Sequence, residues 1–260
     1  MSRAPGRIFV SGAAAGIGRA IALRFARAGW TVGAYDRDAD GLRELASDTV
    51  LTGPLDVREP AQWQAALADF SARAGGGLDV LVNNAGVLIS GPFEASSLAD
   101  HQRVIDVNLR GVINGCHAAF EDLRHSSRAC VINLASASAI YGQPTLATYS
   151  ASKFAVRGLS EALDLEWQAH GIVVRAVWPL FVRTAMIDDI HNPTILGRYG
   201  VKLSAEDVAE TVWRTVQRPG GVTHRAVGLW TRLLMAGTGL LPQSWTRAIC
   251  ARMSGVGTTR

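Results

Sequence analysis

Ile8-Phe9-Val10-Ser11-Gly12-Ala13-Ala14-Ala15-Gly16-Ile17-Gly18 runs from a short apolar segment, through three glycines, into an amphipathic stretch that lasts to Ala28. The apolar triplet reads as a buried strand, and residues 17–28 as a helix closed by Gly29. Glycines in such a turn let the backbone approach a pyrophosphate. The helix N-terminus adds unpaired N–H groups and the positive end of its dipole. A glycine triplet elsewhere would carry little weight. Between strand and helix it marks Gly12, Gly16, Ile17 and Gly18 as a phosphate-binding turn, with a tight ligand-free βα connection as the alternative.

The same alternation continues outward. Apolar segments at 31–35, 50–55, 80–83, 130–134 and 172–177 read as strands. Amphipathic segments at 40–47, 60–73, 99–123 and 149–170 read as helices, and Ser204-Ala205-Glu206-Asp207 caps another. Continuous Val, Ile and Leu strands alternating with helices imply an α/β fold with a parallel sheet covered on both faces. Right-handed crossovers then make it a Rossmann-type doubly wound sheet. No Pro- or Ser-rich linker divides the chain, so residues 1–260 are expected to form one domain. Residues 1–135 are then mainly the dinucleotide-binding half, 136–227 the catalytic and substrate half, and 228–260 a basic amphipathic tail.

Asp36 ends the second strand, where a carboxylate can accept both hydroxyls of an adenosine ribose and repel a 2′-phosphate. That favours NAD over NADP, although Arg37 follows directly and partly offsets the repulsion. Tyr149 and Lys153 stand four residues apart and share one helix face, with Ser136 thirteen residues upstream. An ammonium beside a phenol is expected to pull its pKa from about 10 toward neutrality, as reversible carbonyl chemistry requires. A Tyr-x-x-x-Lys pair alone could arise by chance on a solvated helix.

Taken together, the glycine turn, Leu55-Asp56-Val57, Asn83-Asn84-Ala85-Gly86, Asn108, Ser136 and Tyr149-x-x-x-Lys153 occur in an order that resembles the short-chain dehydrogenase/reductase family over residues 7–184. The resemblance implies that Asp56 and Val57 border the adenine. Asn83, with Ala85 and Gly86, would line the nicotinamide side of the cleft, together with Pro179, Val182 and Thr184. It makes Tyr149 the general acid/base and gives Lys153 the nicotinamide ribose. Ser136 would hold the substrate oxygen, and Asn108 would be a helix distortion holding a water for proton relay. Ser11 replaces the family's threonine, Leu134-Ala135-Ser136 carries one serine where two are common, and Leu180 follows Pro179 where glycine is usual. The leucine is expected to restrict φ and narrow the substrate cleft.

Composition sets the remaining bounds. Apolar residues make up 48% and charged residues 18% of the chain, as in a globular protein with a large core. Met1 to Arg7 carry no leader pattern, and three scattered cysteines suggest neither disulfides nor a zinc site, so a cytoplasmic protein is expected. Six dispersed histidines suggest no metal site. The expected function is an NAD-dependent dehydrogenase or ketone reductase, acting on a small alcohol or ketone that the apolar run 185–203 and the approach at Ile140 and Tyr141 make lipophilic. An NADP-dependent carbonyl reductase is one alternative, and a non-catalytic dinucleotide-binding protein another. A homo-dimer or homo-tetramer is also expected. Residues 211–260 hold seven arginines and no acid, which leaves the first 210 residues at −3 of a total of +4. No nucleic-acid motif accompanies them. The segment 228–253 reads as two short amphipathic helices over the cleft or a subunit contact, or else as a peripheral membrane contact.

Overall fold

Ile8, Phe9 and Val10 are fully withdrawn from solvent because strand β1 (Arg7–Ser11) lies inside a seven-stranded sheet. The computed structural model describes residues 5–187, 200, 203–240 and 242–254. Across the sheet the order is β3 (Val50–Pro54), β2 (Thr31–Asp36), β1, β4 (Val80–Asn83), β5 (Cys130–Leu134), β6 (Val173–Trp178) and β7 (His224–Ala226). Every neighbouring pair is parallel. Joining them are α1 (Gly16–Ala26), α2 (Ala39–Arg43), α3 (Pro60–Arg73), α4 (Leu98–Ile105), α5 (Gly111–Arg124), α6 (Ala147–Glu166) and α7 (Ala205–Gln217). The chain is a single doubly wound α/β unit, as the alternation implied.

Successive strand residues face opposite layers, so a sheet covered on both sides needs apolar side chains at every position. Ile8, Val10, Val32, Val80 and Ile132 pack with Ile21 and Phe25 of α1 and with Val208 and Val212 of α7. Phe9, Leu81, Val131 and Val174 pack on the other face with Trp63, Phe70, Val112 and Val156 of the opposite helices. Each such side chain contributes about 1.5–3 kcal/mol on burial. β1 is followed in space by β2 on one side and β4 on the other, so a crevice opens at the carboxyl ends of the strands.

Several boundaries differ from the pattern-based expectation. The long helix at 99–123 is instead α4 and α5 joined by a π-helical turn, Asp106–Arg110, centred on the helix-averse Asn108. The helix at 40–47 is only five residues long, and α6 ends in a 3-10 turn, Trp167–His170. β7 was not foreseen, because three half-buried residues give no readable alternation. The tail folds into α8 (Gly228–Leu240) and α9 (Gln243–Ser254).

Candidate active site

At the end of β1 the glycines are needed by the neighbouring turn as much as by any ligand. Gly12 sits at φ +67°, and a Cβ there would stand 2.6 Å from the Ala85 Cα. A Cβ on Gly18 would fall 2.1 Å from the Gly12 carbonyl oxygen. The turns after β1 and β4 therefore nest backbone to backbone. Asn84 locks them together, its Nδ2 donating to the carbonyls of Gly12 (2.8 Å) and Ser11 (3.1 Å), while the Asn84 N–H donates to Ser11 Oγ at 3.2 Å. The Ser11 hydroxyl thus ties the β1 turn to the β4 turn. Gly12, Gly16 and Ile17 line the floor of a cleft of about 630 Å³, together with Ala85 and Gly86. Gly18 lies beneath this floor and serves the packing of α1.

Asn83 is a correction. It ends β4 with its side chain turned into the core, not toward the cleft, and is 3% exposed. Its Nδ2 donates to Asn133 Oδ1 at 2.9 Å and to Cys116 Sγ at 3.4 Å. Strand alternation sends residue 83 to one face, so Asn84 lines the cleft instead.

Two carboxylates mark the far end. Asp36 accepts the Ala14 N–H on Oδ2 and the Asp38 N–H on Oδ1, both at 3.0 Å, which fixes its orientation at the tip of β2. Asp56 is paired with Arg58, whose guanidinium holds the carboxyl below its ordinary range despite partial burial. Asp36, Arg37, Asp56, Val57 and Arg58 line this end together.

At the opposite end β5, α6 and the loop after β6 bring Ser136, Tyr149, Lys153, Pro179, Val182 and Thr184 to the same cleft. Ser136 Oγ accepts the Ser138 N–H at 3.1 Å and lies 3.3 Å from Ser138 Oγ. Lys153 is 5% exposed; its Nζ donates to the Leu134 carbonyl at 2.8 Å and stands 5.6 Å from the Tyr149 ring centre. Burial lowers its pKa from 10.5 to about 8. Asn108 does not line the cleft. Its Oδ1 accepts the Val87 N–H at 2.8 Å, and its Nδ2 donates to the Val87 carbonyl at 2.9 Å and to Ser152 Oγ at 3.2 Å. It thereby ties the π turn to the strand-β4 loop and to α6. Gly86 passes between the two groups: a Cβ there would lie 3.4 Å from Asn108 Oδ1 and 3.8 Å from Lys153 Nζ.

The expected acidic phenol is not what the protein alone supplies. Although the Tyr149 ring keeps partial access to the cleft, desolvation by the surrounding protein raises its pKa above 10, and an interaction with Ser136 pulls the other way. Helical spacing brought the lysine onto the right face, but it donates to a backbone carbonyl and its charge is itself disfavoured by burial.

The walls beyond Tyr149 are apolar. Ile140, Tyr141, Leu146, Leu180 and Phe181 line them, and the 3-10 turn Ala185–Ile187 adds Met186 and Ile187. Leu180 is accommodated without strain: among the described residues Thr145, at φ +65°, is the one non-glycine with positive φ. Most of the expected lid, including Ile190, Ile195, Leu196 and Tyr199, lies outside the described residues. Trp230, Leu233, Leu234, Thr246, Ile249 and Cys250 of the two tail helices also line the cleft. Sequence reasoning missed Gln143, whose buried Oε1 has no hydrogen-bond partner although the residue lines the cleft. A glutamine in a loop carries no motif signal, so only the fold could reveal it.

Comparison with known proteins agrees with this geometry. A family model described as short chain dehydrogenase matches residues 7–194. A 3-alpha-(or 20-beta)-hydroxysteroid dehydrogenase from Mycobacterium bovis is 40% identical over 167 residues, covering 63% of this chain and 64% of that protein. The match thus spans less than two thirds of that relative's length. A D-threitol dehydrogenase from Mycolicibacterium smegmatis is 36% identical over 68% of this chain and 70% of its own. Among solved structures, a 3-ketoacyl-(acyl-carrier-protein) reductase from Brucella melitensis complexed with NADH superposes with a TM-score of 0.80 at 26% identity, covering 86% of this chain and 97% of that one. Parallel strands in the order 3-2-1-4-5-6-7, a glycine turn at their switch point and the family model's span make this chain a member of the short-chain dehydrogenase/reductase family.

Proposed function

We propose that the protein is an NAD-linked oxidoreductase interconverting a lipophilic secondary alcohol and its ketone, of the hydroxysteroid class. The observation that carries this is the convergence of Ser136, Tyr149 and Lys153 on one cleft whose far end holds the glycine turn and Asp36. The residues present fit a dinucleotide. Gly12, Gly16 and Ile17 line the cleft at the N-terminus of α1, and Asp36 is pinned by two backbone N–H groups with lone pairs left for ribose hydroxyls. Asp56 and Val57 would border the adenine, and Ala85, Gly86, Pro179, Val182 and Thr184 the nicotinamide. When bound, the dinucleotide supplies or accepts the hydride.

The chain's own residues handle the proton. Tyr149 donates its phenolic proton to a ketone oxygen in reduction and removes one from a hydroxyl in oxidation. Its raised pKa keeps the phenol protonated near pH 7, which suits the donor role. Ser136, oriented by the Ser138 N–H, offers its hydroxyl to the same oxygen and stabilises charge developing there. Lys153 has one ammonium proton on the Leu134 carbonyl and two left for ribose hydroxyls or the phenol. Asn108 holds the π turn and the β4 loop against α6 and so fixes the lysine's neighbourhood. The distortion of the helix at Asn108 is the place we assign to a relay water.

The apolar wall and tail favour a lipophilic substrate over a polyol. A screen read at the nicotinamide absorbance should show hydroxysteroids oxidised with kcat/KM at least about tenfold above four-carbon polyols, one buried methylene group being worth about 0.8 kcal/mol. Faster turnover of polyols would overturn the substrate class. Arg37 at the ribose end is the observation behind an NADP reading. Asp36→Ala should therefore shift the NADP-to-NAD ratio of kcat/KM upward by about 10–100-fold, as a charge repulsion of a few kcal/mol is removed. An unchanged ratio would remove Asp36 as the selector.

A further inference from the structure

Helices α8 and α9 present two unlike faces. Inward, Thr231, Thr246, Cys250 and Ser254 are buried, and the last three recur every four residues along α9. Outward, the same helices expose side chains that a water-facing surface seldom carries together. Leu229 is 69% exposed, Trp230 63%, Leu233 53%, Trp245 64% and Ile249 44%. Trp230, Leu233 and Ile249 also line the cleft, so the exposed apolar face forms the rim of the substrate entrance. Arg232, Arg247 and Arg252 lie among them, and residues 211–260 contain no acid to answer them.

From this juxtaposition we propose that the α8–α9 face docks on an anionic lipid bilayer, with the substrate entrance turned toward the membrane. Tryptophan and leucine beside arginine on short amphipathic helices are the side chains that settle at the headgroup boundary. No helix among the described residues is long and apolar enough to cross a membrane, so the tail lies on the surface and does not span it. A second copy of the chain is the poorer occupant. Two-fold pairing of this face would set arginines against arginines with no acid between them. The entrance geometry rests on the reading of a lipophilic substrate; the docking itself needs neither substrate nor cofactor.

The full chain should co-sediment with phosphatidylcholine vesicles containing phosphatidylglycerol and remain in solution with phosphatidylcholine alone. Raising the salt should release it. A triple variant, Arg232→Gln with Arg247→Gln and Arg252→Gln, should partition about 100-fold more weakly, at about fivefold per arginine. Leu229→Ser with Trp245→Ser should weaken it by about tenfold or more. None of these five side chains lines the cleft, so NAD-linked turnover of a dispersed substrate reports that each variant is folded. Failure of the wild-type protein to pellet with anionic vesicles overturns the proposal, as does equal pelleting with both compositions. Lipid-free self-association that Trp245→Ser abolishes would assign the face to a second copy. Pelleting by a protein that oxidises no lipophilic alcohol would leave the docking standing and defeat the substrate reading instead.

Discussion

Tyr149→Phe is expected to lower kcat/KM by about 10²–10⁴-fold, the range over which a positioned acid/base contributes. The substitution keeps the ring and removes one oxygen, so the apolar cleft wall stays filled and helix α6 is not disturbed. NAD affinity, read by ligand-induced stabilisation, should change by no more than a few-fold, because the other residues we assign to the dinucleotide, from Gly12 to Thr184, are untouched. An acid/base role therefore predicts a large loss in kcat with binding intact. Equal turnover in both proteins would remove the phenol from the mechanism and require another proton donor. The pH profile sharpens the test. Burial raises the phenol above its ordinary value, so oxidation, which needs the phenolate, should speed up as pH rises through the alkaline range, and the variant should lose that limb.

Gly18→Ala is expected to have the largest effect on nucleotide binding of any single methyl group added to the chain. The new Cβ would stand 2.1 Å from the Gly12 carbonyl oxygen and 2.5 Å from Asn84 Nδ2, both held by the hydrogen bonds that join the two turns. Neither neighbour is the free end of a flexible side chain. Relief requires α1 to move away from β1, which displaces its N-terminus from the phosphate position and breaks the Asn84 clamp. Overpacking of this kind costs about 1–3 kcal/mol of stability. The dinucleotide dissociation constant should rise by about 100-fold or more, measured by calorimetric titration. Unaltered affinity and an unaltered thermal midpoint would show that α1 is free to shift, and that the close approach of the turns is not what builds the site.

These two residues show how unevenly the site was legible. Tyr149 and Lys153 could be placed on one helix face from their spacing, but only the order of the other motifs gave the pair weight. Gly18 could be read as part of the glycine turn, but its partner could not: Gly12 and Asn84 are brought to it by the parallel pairing of β1 with β4, whose crossover spans two further strands. Asn83 shows the opposite failure. A strand-end asparagine pair offered two candidates for the cleft, and the alternation of side chains across the sheet, fixed by register, sent Asn83 into the core and Asn84 outward. The ionisation of Tyr149 and Lys153 was also beyond spacing. Adjacency suggested an acidified phenol, but burial lowers the lysine, raises the tyrosine and directs the ammonium to the Leu134 carbonyl.

By itself the sequence determined the layered α/β class, the switch point, the order of the family's motifs and the identity of Ser136, Tyr149 and Lys153. The class and the switch point follow from local periodicity, which acts within a turn or two of chain, and the motif order with its site residues from the family resemblance. Only the tertiary structure decided which polar side chains face the cleft, that Asn108 sits in a π turn binding the β4 loop to α6, that Gln143 is left without a donor, and which of the places expected for the tail helices puts Trp230, Leu233 and Ile249 on the cleft. Those properties depend on contacts between residues far apart along the chain. Strand register, desolvation and packing set them, and none of the three leaves a periodic trace in the amino-acid order.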